Sequence, residues 1–97
     1  MVRVDRTEIF AKWLRKLRDL QARVRILNHI DNMEEGKMGN AKSVGGGVYE
    51  KKIDYGPGYR LYYFQKGKDW ILLLCGGDKS TQQDDINQAK ELKREIE

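Results

Sequence analysis

At 97 residues, with 19 Lys and Arg against 15 Asp and Glu, the chain is sized for one domain spanning 1–97 and leaves no room for a second folded unit. Charged residues make up 35% of it, but the aliphatic and aromatic residues gather in compact runs, which is a globular rather than a disordered pattern. A lone cysteine, Cys75, and a lone histidine, His29, exclude an internal disulfide and a structural zinc site. No apolar stretch reaches the roughly 18 residues that span a bilayer, and Met1 to Arg6 lacks the apolar centre of a signal peptide. The expectation is a cytoplasmic protein without cofactor, metal or membrane association.

Taken in chain order, Val2-Arg3-Val4 alternates and is compatible with a short strand, after which Thr7 can cap a helix. Ile9, Phe10, Trp13, Leu14 and Leu17 form one helical stripe, with Lys12, Arg15, Lys16 and Arg18 on the remaining surface. Asp19 can cap a second helix whose apolar positions are Leu20, Val24, Leu27, Ile30 and Met33, stopped by Gly36. So short a joint implies a helical hairpin. Residues 37–47 have no period and many glycines, so the spacing predicts a mobile loop carrying Lys42. Three strands follow, over 48–55, 59–66 and 70–75, turning at Gly56-Pro57-Gly58 and at Gly67-Lys68. Ser80-Thr81-Gln82-Gln83 has the capping-box pattern and opens a polar helix with Ile86, Ala89, Leu92 and Ile96 as its thin stripe. The fold class is α+β: a helical hairpin on an antiparallel meander, with a C-terminal helix.

A hairpin fixes which side chains are neighbours. Pairing Tyr55 with Tyr59 sets Ile53 opposite Leu61 and Lys51 opposite Tyr63 on one face. On the other it sets Asp54 opposite Arg60, Lys52 opposite Tyr62 and Glu50 opposite Phe64. A two-residue turn at Gly67-Lys68 adds Leu72 and Leu74 to the first face, making that face the core and the second polar. The same register brings Cys75 beside Arg60 and Lys79 towards Lys52 and Arg60. Residues 1–79 carry 16 basic and 10 acidic side chains, whereas 80–97 carry 3 and 5. A basic concavity edged by tyrosines such as Tyr62 suits RNA, because cations hold phosphates and rings stack on unpaired bases. It also suits attack of a 2′-hydroxyl on phosphorus, where fixed cations stabilise the developing charge. In this reading Arg60 and Lys79 clamp the phosphate, Lys52 activates the 2′-hydroxyl or stabilises charge, and Glu50 or Asp78 moves a proton. Lys42, Lys51, Lys12 and Lys16 are candidate RNA contacts. Simpler roles stand beside these: a cross-strand ion pair for Arg60 and Asp54, edge-strand lysines at Lys51 and Lys52, solvated helix charges at Lys12 and Lys16, a surface position for His29, core roles for Trp13 and Trp70, and a buried Cys75.

Phe10-x-x-Trp13-Leu14, Gly47-Val48-Tyr49-Glu50, Gly56-Pro57-Gly58-Tyr59-Arg60-Leu61-Tyr62-Tyr63 and Leu73-Leu74-Cys75-Gly76-Gly77-Asp78-Lys79-Ser80-Thr81-Gln82, in the order helix, helix, meander, helix, resemble the HigB-like addiction-module killers of the RelE/ParE toxin superfamily. The resemblance implies a RelE-like fold and a type II toxin that cuts messenger RNA on the ribosome as a metal-independent endoribonuclease. It also implies a cognate antitoxin, a helix-turn-helix HigA-like protein. It places a phosphate contact on Arg60, a basic residue after the third strand on Lys79, and a second-strand lysine on Lys52 or, with a hairpin one residue different, on Lys51. The tyrosine common in the family's last helix is missing from 81–97. The alternative within the same fold is a ParE-like inhibitor that binds DNA gyrase without nuclease activity.

Overall fold

The structure, a computed structural model, describes residues 1–96. In chain order it contains β1 (Arg3–Arg6), α1 (Glu8–Lys16), α2 (Leu20–Glu34), β2 (Ala41–Gly45), β3 (Val48–Ile53), β4 (Tyr59–Lys66), β5 (Trp70–Gly77), a single 3₁₀ turn (Lys79–Thr81) and α3 (Gln82–Ile96). The strands form one sheet in the order β1-β5-β4-β3-β2. The fold class is α+β, as the sequence pattern implies.

Both N-terminal helices start where capping chemistry puts them. The Thr7 hydroxyl accepts from Phe10 N at 3.0 Å and donates to Leu74 O at 2.6 Å, so it caps α1 and ties it to β5. Asp19 Oδ1 accepts from Gln21 N and Ala22 N at the head of α2. The chain leaves α2 through Gly36, at φ 84°. Short strand β1 pairs in parallel with β5, Arg3 with Trp70 through Arg6 with Leu73. Asp5 fastens that edge by accepting from Trp70 Nε1 and pairing with Arg3 Nε, each at 2.8 Å.

Four sequence-based expectations change. Within 37–47, predicted as a mobile loop, Ala41–Gly45 is a strand pairing antiparallel with β3, and the glycines that suggested mobility make the hairpin between them. The β3–β4 register sets Lys52 opposite Arg60 and Glu50 opposite Tyr62, two residues from the expected pairing. A shift of two preserves the face of every side chain, so only the neighbours change. The β4–β5 turn holds three residues, because Lys66 pairs with Trp70, with Gly67 at φ 62°. That odd shift turns Leu72 and Leu74 away from Leu61 and Tyr63. Finally, Asp78, not Ser80, supplies the cap that begins the C-terminal turn and helix.

As a result the sheet has a core on each side. Phe10, Leu14, Ala22, Ile26, Ile30 and Met33 of α1 and α2 cover Ile53, Leu61, Tyr63, Ile71 and Leu73. Ala89, Ile86 and Leu92 of α3 cover Val48, Tyr62, Leu72, Leu74 and Cys75. Between Tyr62 and Tyr63 the β4–β5 ladder shifts, pairing Tyr62 with Cys75 but Tyr63 with Leu73. Leu74 is the extra residue of this bulge, which bends β5 and carries its pairing on to Gly77 opposite Arg60. The second face, expected to be polar, is apolar under α3 and polar only at its Arg60 end.

Lys51 lies in the first core's margin, 1% exposed, its ammonium donating to Met38 O at 2.6 Å. Burial lowers its pKa from the ordinary 10.5. Half-buried His29, expected at the surface, is lowered from 6.5 by burial, then by the charges of Lys51 and Arg25. For both groups the unfolded chain binds the proton more readily, so stability rises with pH, through the window below 6.5 for His29 and below 10.5 for Lys51. Lys51→Met avoids the desolvated charge but leaves Met38 O without its donor, so at neutral pH any gain in stability is expected to stay below about 1 kcal/mol. The gain should shrink at alkaline pH. Urea melts at acid, neutral and alkaline pH would refute this if the variant tracked the wild type throughout.

Candidate phosphate site at the end of the sheet

Beyond α3's cover, the β3–β4 turn and the exit of β5 enclose a polar cavity of about 410 Å³. Lys52, Asp54, Tyr55, Gly56, Pro57, Gly58, Arg60 and Lys79 line it. Three cations from separate segments therefore meet at one depression. Gly58 makes this possible. Its φ is 79°, and a Cβ there would lie 3.4 Å from Arg60 Nη1 and 3.8 Å from Lys79 Cβ, so a side chain would strain the turn and crowd the cations it separates. The backbone completes the closure, with Lys79 N donating to Pro57 O at 3.5 Å.

Arg60 is only 7% exposed, and its surroundings hold it in place. Nη1 donates to Gly58 O at 2.8 Å. Nε lies 3.7 Å from Glu50 Oε2 without a hydrogen-bond partner. Glu50 is itself buried, at 3% exposure. Its Oε2 accepts from Tyr62 Oη at 3.1 Å and from Gln82 Nε2 at 2.9 Å, and Lys42 Nζ stands 3.8 Å from Oε1. A carboxylate so enclosed orients and neutralises an arginine. Lys52 is 3.5 Å from Asp54 Oδ1, and both residues are exposed.

Arg60, Lys79 and Lys52 thus share the cavity, as the sequence reading requires. Asp54 pairs with Lys52, not with Arg60. Glu50 lies behind Arg60 as its support. Asp78 accepts from Ser80 N at 2.8 Å and Ser80 Oγ at 2.5 Å, so its carboxylate caps the 3₁₀ turn. Two candidate RNA contacts are corrected outright. Tyr62 has no exposed surface and donates to Glu50; burial first, then the Glu50 charge, raises its pKa, so the ring is no platform for a base. Lys51 points to the opposite face and is buried there. Lys42 is exposed on β2 beside Glu50. Lys12 and Lys16 are exposed on α1, which covers the other side of the sheet, so they lie outside the cavity.

Sequence reasoning missed Tyr55 and Gln82. The Tyr55 ring forms a cavity wall, carries the Arg25 guanidinium at 4.5 Å from its centroid, and donates to Asp19 Oδ2 at 3.0 Å. Its place beside Gly56-Pro57-Gly58 was the available signal. Gln82 becomes visible as a Glu50 partner only once α3 is docked.

The fold is RelE-like. A chain of the Escherichia coli RelBE toxin–antitoxin complex superposes with a TM-score of 0.66 over 80% of this chain and 96% of that one, at 21% identity. HP0894 of Helicobacter pylori superposes with a TM-score of 0.53 over 82% and 97%, at 19% identity. The protein belongs to the phage-derived Gp49-like family (DUF891), whose pattern matches residues 12–95. An uncharacterized protein of Haemophilus influenzae is 43% identical over 95 residues, covering 98% of this chain and 96% of its own.

Proposed function

We propose that the protein is the toxin of a type II toxin–antitoxin module, a HigB-like endoribonuclease that cuts messenger RNA on the ribosome in the cytoplasm and is restrained by a cognate antitoxin, a helix-turn-helix HigA-like protein. The observation that carries this reading is the convergence of Arg60, Lys79 and Lys52 on one open cavity, with Arg60 fixed from behind by Glu50. RelE-type architecture supports it, although fold alone does not decide chemistry.

In the proposed reaction the 2′-hydroxyl gives its proton to water as its oxygen attacks the adjacent phosphorus, and the bond to the 5′-oxygen breaks as that oxygen takes a proton from water, giving a 2′,3′-cyclic phosphate and a 5′-hydroxyl. Negative charge grows on the phosphoryl oxygens. Arg60, held rigid, and Lys79, at the rim, meet that charge, and Lys52 lies where it can stabilise the entering 2′-oxygen. Fixed cations aimed at developing charge lower the barrier because they need little reorganisation. With Glu50 and Asp78 committed to the fold, rate enhancement rests on these cations and on positioning. Half-buried Tyr55, which lines the cavity and carries Arg25 on its ring, offers the base a ring edge that Tyr62 does not.

Induced expression followed by mapping of transcript ends, with and without active translation, tests the proposal. Discrete cuts that require translation are expected. Intact transcripts together with inhibited supercoiling by purified gyrase would replace the nuclease with a gyrase poison.

A further inference from the structure

Helix α2 buries one side and leaves a second side apolar and open. Ala22, Ile26, Ile30 and Met33 pack inward, whereas Leu20, Val24 and Leu27 are 68, 56 and 43% exposed. At about 100° per residue these three fall in one narrow sector away from the buried row. A depression of about 380 Å³ runs beside them, lined by Leu20, Gln21, Val24, Arg25 and Asn28. Single exposed leucines are ordinary, but a continuous row marks an interaction surface.

The charges around the row select its occupant. Arg23 and Arg25 flank it on opposite sides, and 12–25 carries six basic residues, Lys12, Arg15, Lys16, Arg18, Arg23 and Arg25, against one acid, Asp19. Asp19 is already engaged by the head of α2 and by Tyr55. A second copy of this chain would set arginine against arginine. Nucleic acid would satisfy the arginines but leave the leucines unmatched. We propose that this face of α2 docks an amphipathic helix of a partner protein, with an apolar row edged by Asp and Glu. The proposal deepens, and rests on, the reading of the chain as an antitoxin-controlled toxin.

The same face communicates with the phosphate cavity. Arg25 stacks on Tyr55, and Tyr55 and Gly58 belong to the turn that walls the cavity and holds Arg60. A partner carboxylate that draws Arg25 away removes the support behind Tyr55 and loosens the turn. Docking on α2 therefore displaces Arg60 from its fixed position beside the other cations without the partner entering their cavity.

The test uses the full chain and the double substitution V24E/L27E, at two exposed positions outside the cavity. The antitoxin encoded beside this chain is expected to bind the variant at least about 30-fold more weakly, the loss of one strong anchor. Co-expression should no longer rescue growth, while the free variant cuts RNA at the wild-type rate. Unchanged affinity and rescue would overturn the proposal. A second measurement does not depend on toxicity: fluorescence anisotropy with a synthetic helix bearing a leucine row edged by Glu, and with its Lys-edged counterpart. Binding of the Glu form alone, abolished by V24E/L27E, supports the site; equal binding of both, binding of neither, or dimerisation of the wild type through this face overturns it. If the wild type neither cuts RNA nor stops growth and yet binds the Glu-edged helix, the toxin reading fails and the docking face stands.

Discussion

Lys79→Ala should slow RNA cleavage by about 10²–10³-fold, the usual effect of removing one donor aimed at transition-state charge, while leaving the urea midpoint unchanged. The side chain is exposed, and it is the backbone nitrogen of Lys79 that bonds to Pro57 O, so activity and stability separate cleanly. Arg60→Ala should lose at least as much activity and destabilise the fold as well. It removes the buried one of the two cations beside a carboxylate that is 3% exposed, leaving only exposed Lys42, and removing one member of a buried pair typically costs about 3–5 kcal/mol. Tyr62 and Gln82 still donate to Glu50, which points to the lower end. Even that is a large share of the roughly 5–15 kcal/mol that holds a small domain folded, so an inactive Arg60→Ala protein would by itself prove little. Glu50→Gln in the same chain resolves this. Neutralising the carboxylate that has lost Arg60 should restore much of the stability and none of the cleavage. Cleavage recovered in the double variant, or full activity in Lys79→Ala, would remove the phosphate role from these residues.

Much of the scaffold behind these predictions is legible in the sequence, because it depends on local chemistry. Thr7 and Asp19 announce helix starts, Gly36 a stop, and Gly56-Pro57-Gly58 a turn. The site was legible to the extent that side-chain parity survives an error of two: Arg60 and Lys52 stay on one face whether Arg60 pairs with Asp54 or with Lys52. The next hairpin was misread by one residue, and there parity fails, so Leu72 and Leu74 exchange faces. Nothing local distinguishes a two-residue turn at Gly67-Lys68 from a three-residue one ending at Asp69. The bulge at Leu74 is equally silent, since it is set by pairing across strands. Burial was the other gap. Lys51 and Tyr62 look like surface residues by composition and become interior ones only when α2 and α3 close over the sheet. On α2 the spacing grouped Leu20, Val24 and Leu27 with Ile30 and Met33, whereas the helix carries two apolar sides.

Adjacent glycines at the end of β5 should respond differently to the same added methyl group. A Cβ on Gly76 would lie 2.4 Å from Cε3 and Cζ3 of Trp13 and 2.7 Å from Cη2. The indole has little room to retreat, because its ring centroid lies 5.5 Å from that of Phe10 and 6.2 Å from that of Tyr59. Gly76→Ala is therefore expected to cost about 1–3 kcal/mol, as overpacking in a well-filled core usually does, with cleavage per folded molecule close to wild type. A Cβ on Gly77 points to the other face and would lie 1.8 Å from Asp85 Oδ2 and 3.1 Å from Thr81 Oγ1. The atom in the way is the tip of a side chain, and that tip is not at ease there: burial, more than any other influence, raises the Asp85 pKa above its ordinary 3.8. A raised carboxylate pKa means that the folded chain holds the proton more tightly, so this contribution to stability falls as pH rises through the folded pKa and is a cost at neutral pH. Expelling the carboxylate in Gly77→Ala relieves that cost, so the stability loss should be smaller than in Gly76→Ala. Its effect on the site should be larger. Asp85 accepts from Thr81 Oγ1 at 2.6 Å, and Thr81 ends the turn that carries Lys79, so displacing the carboxylate shifts Lys79 away from Arg60. Urea melts and single-turnover cleavage of the two variants should rank them in opposite orders; the same order in both would mean that the end of β5 does not set the position of Lys79.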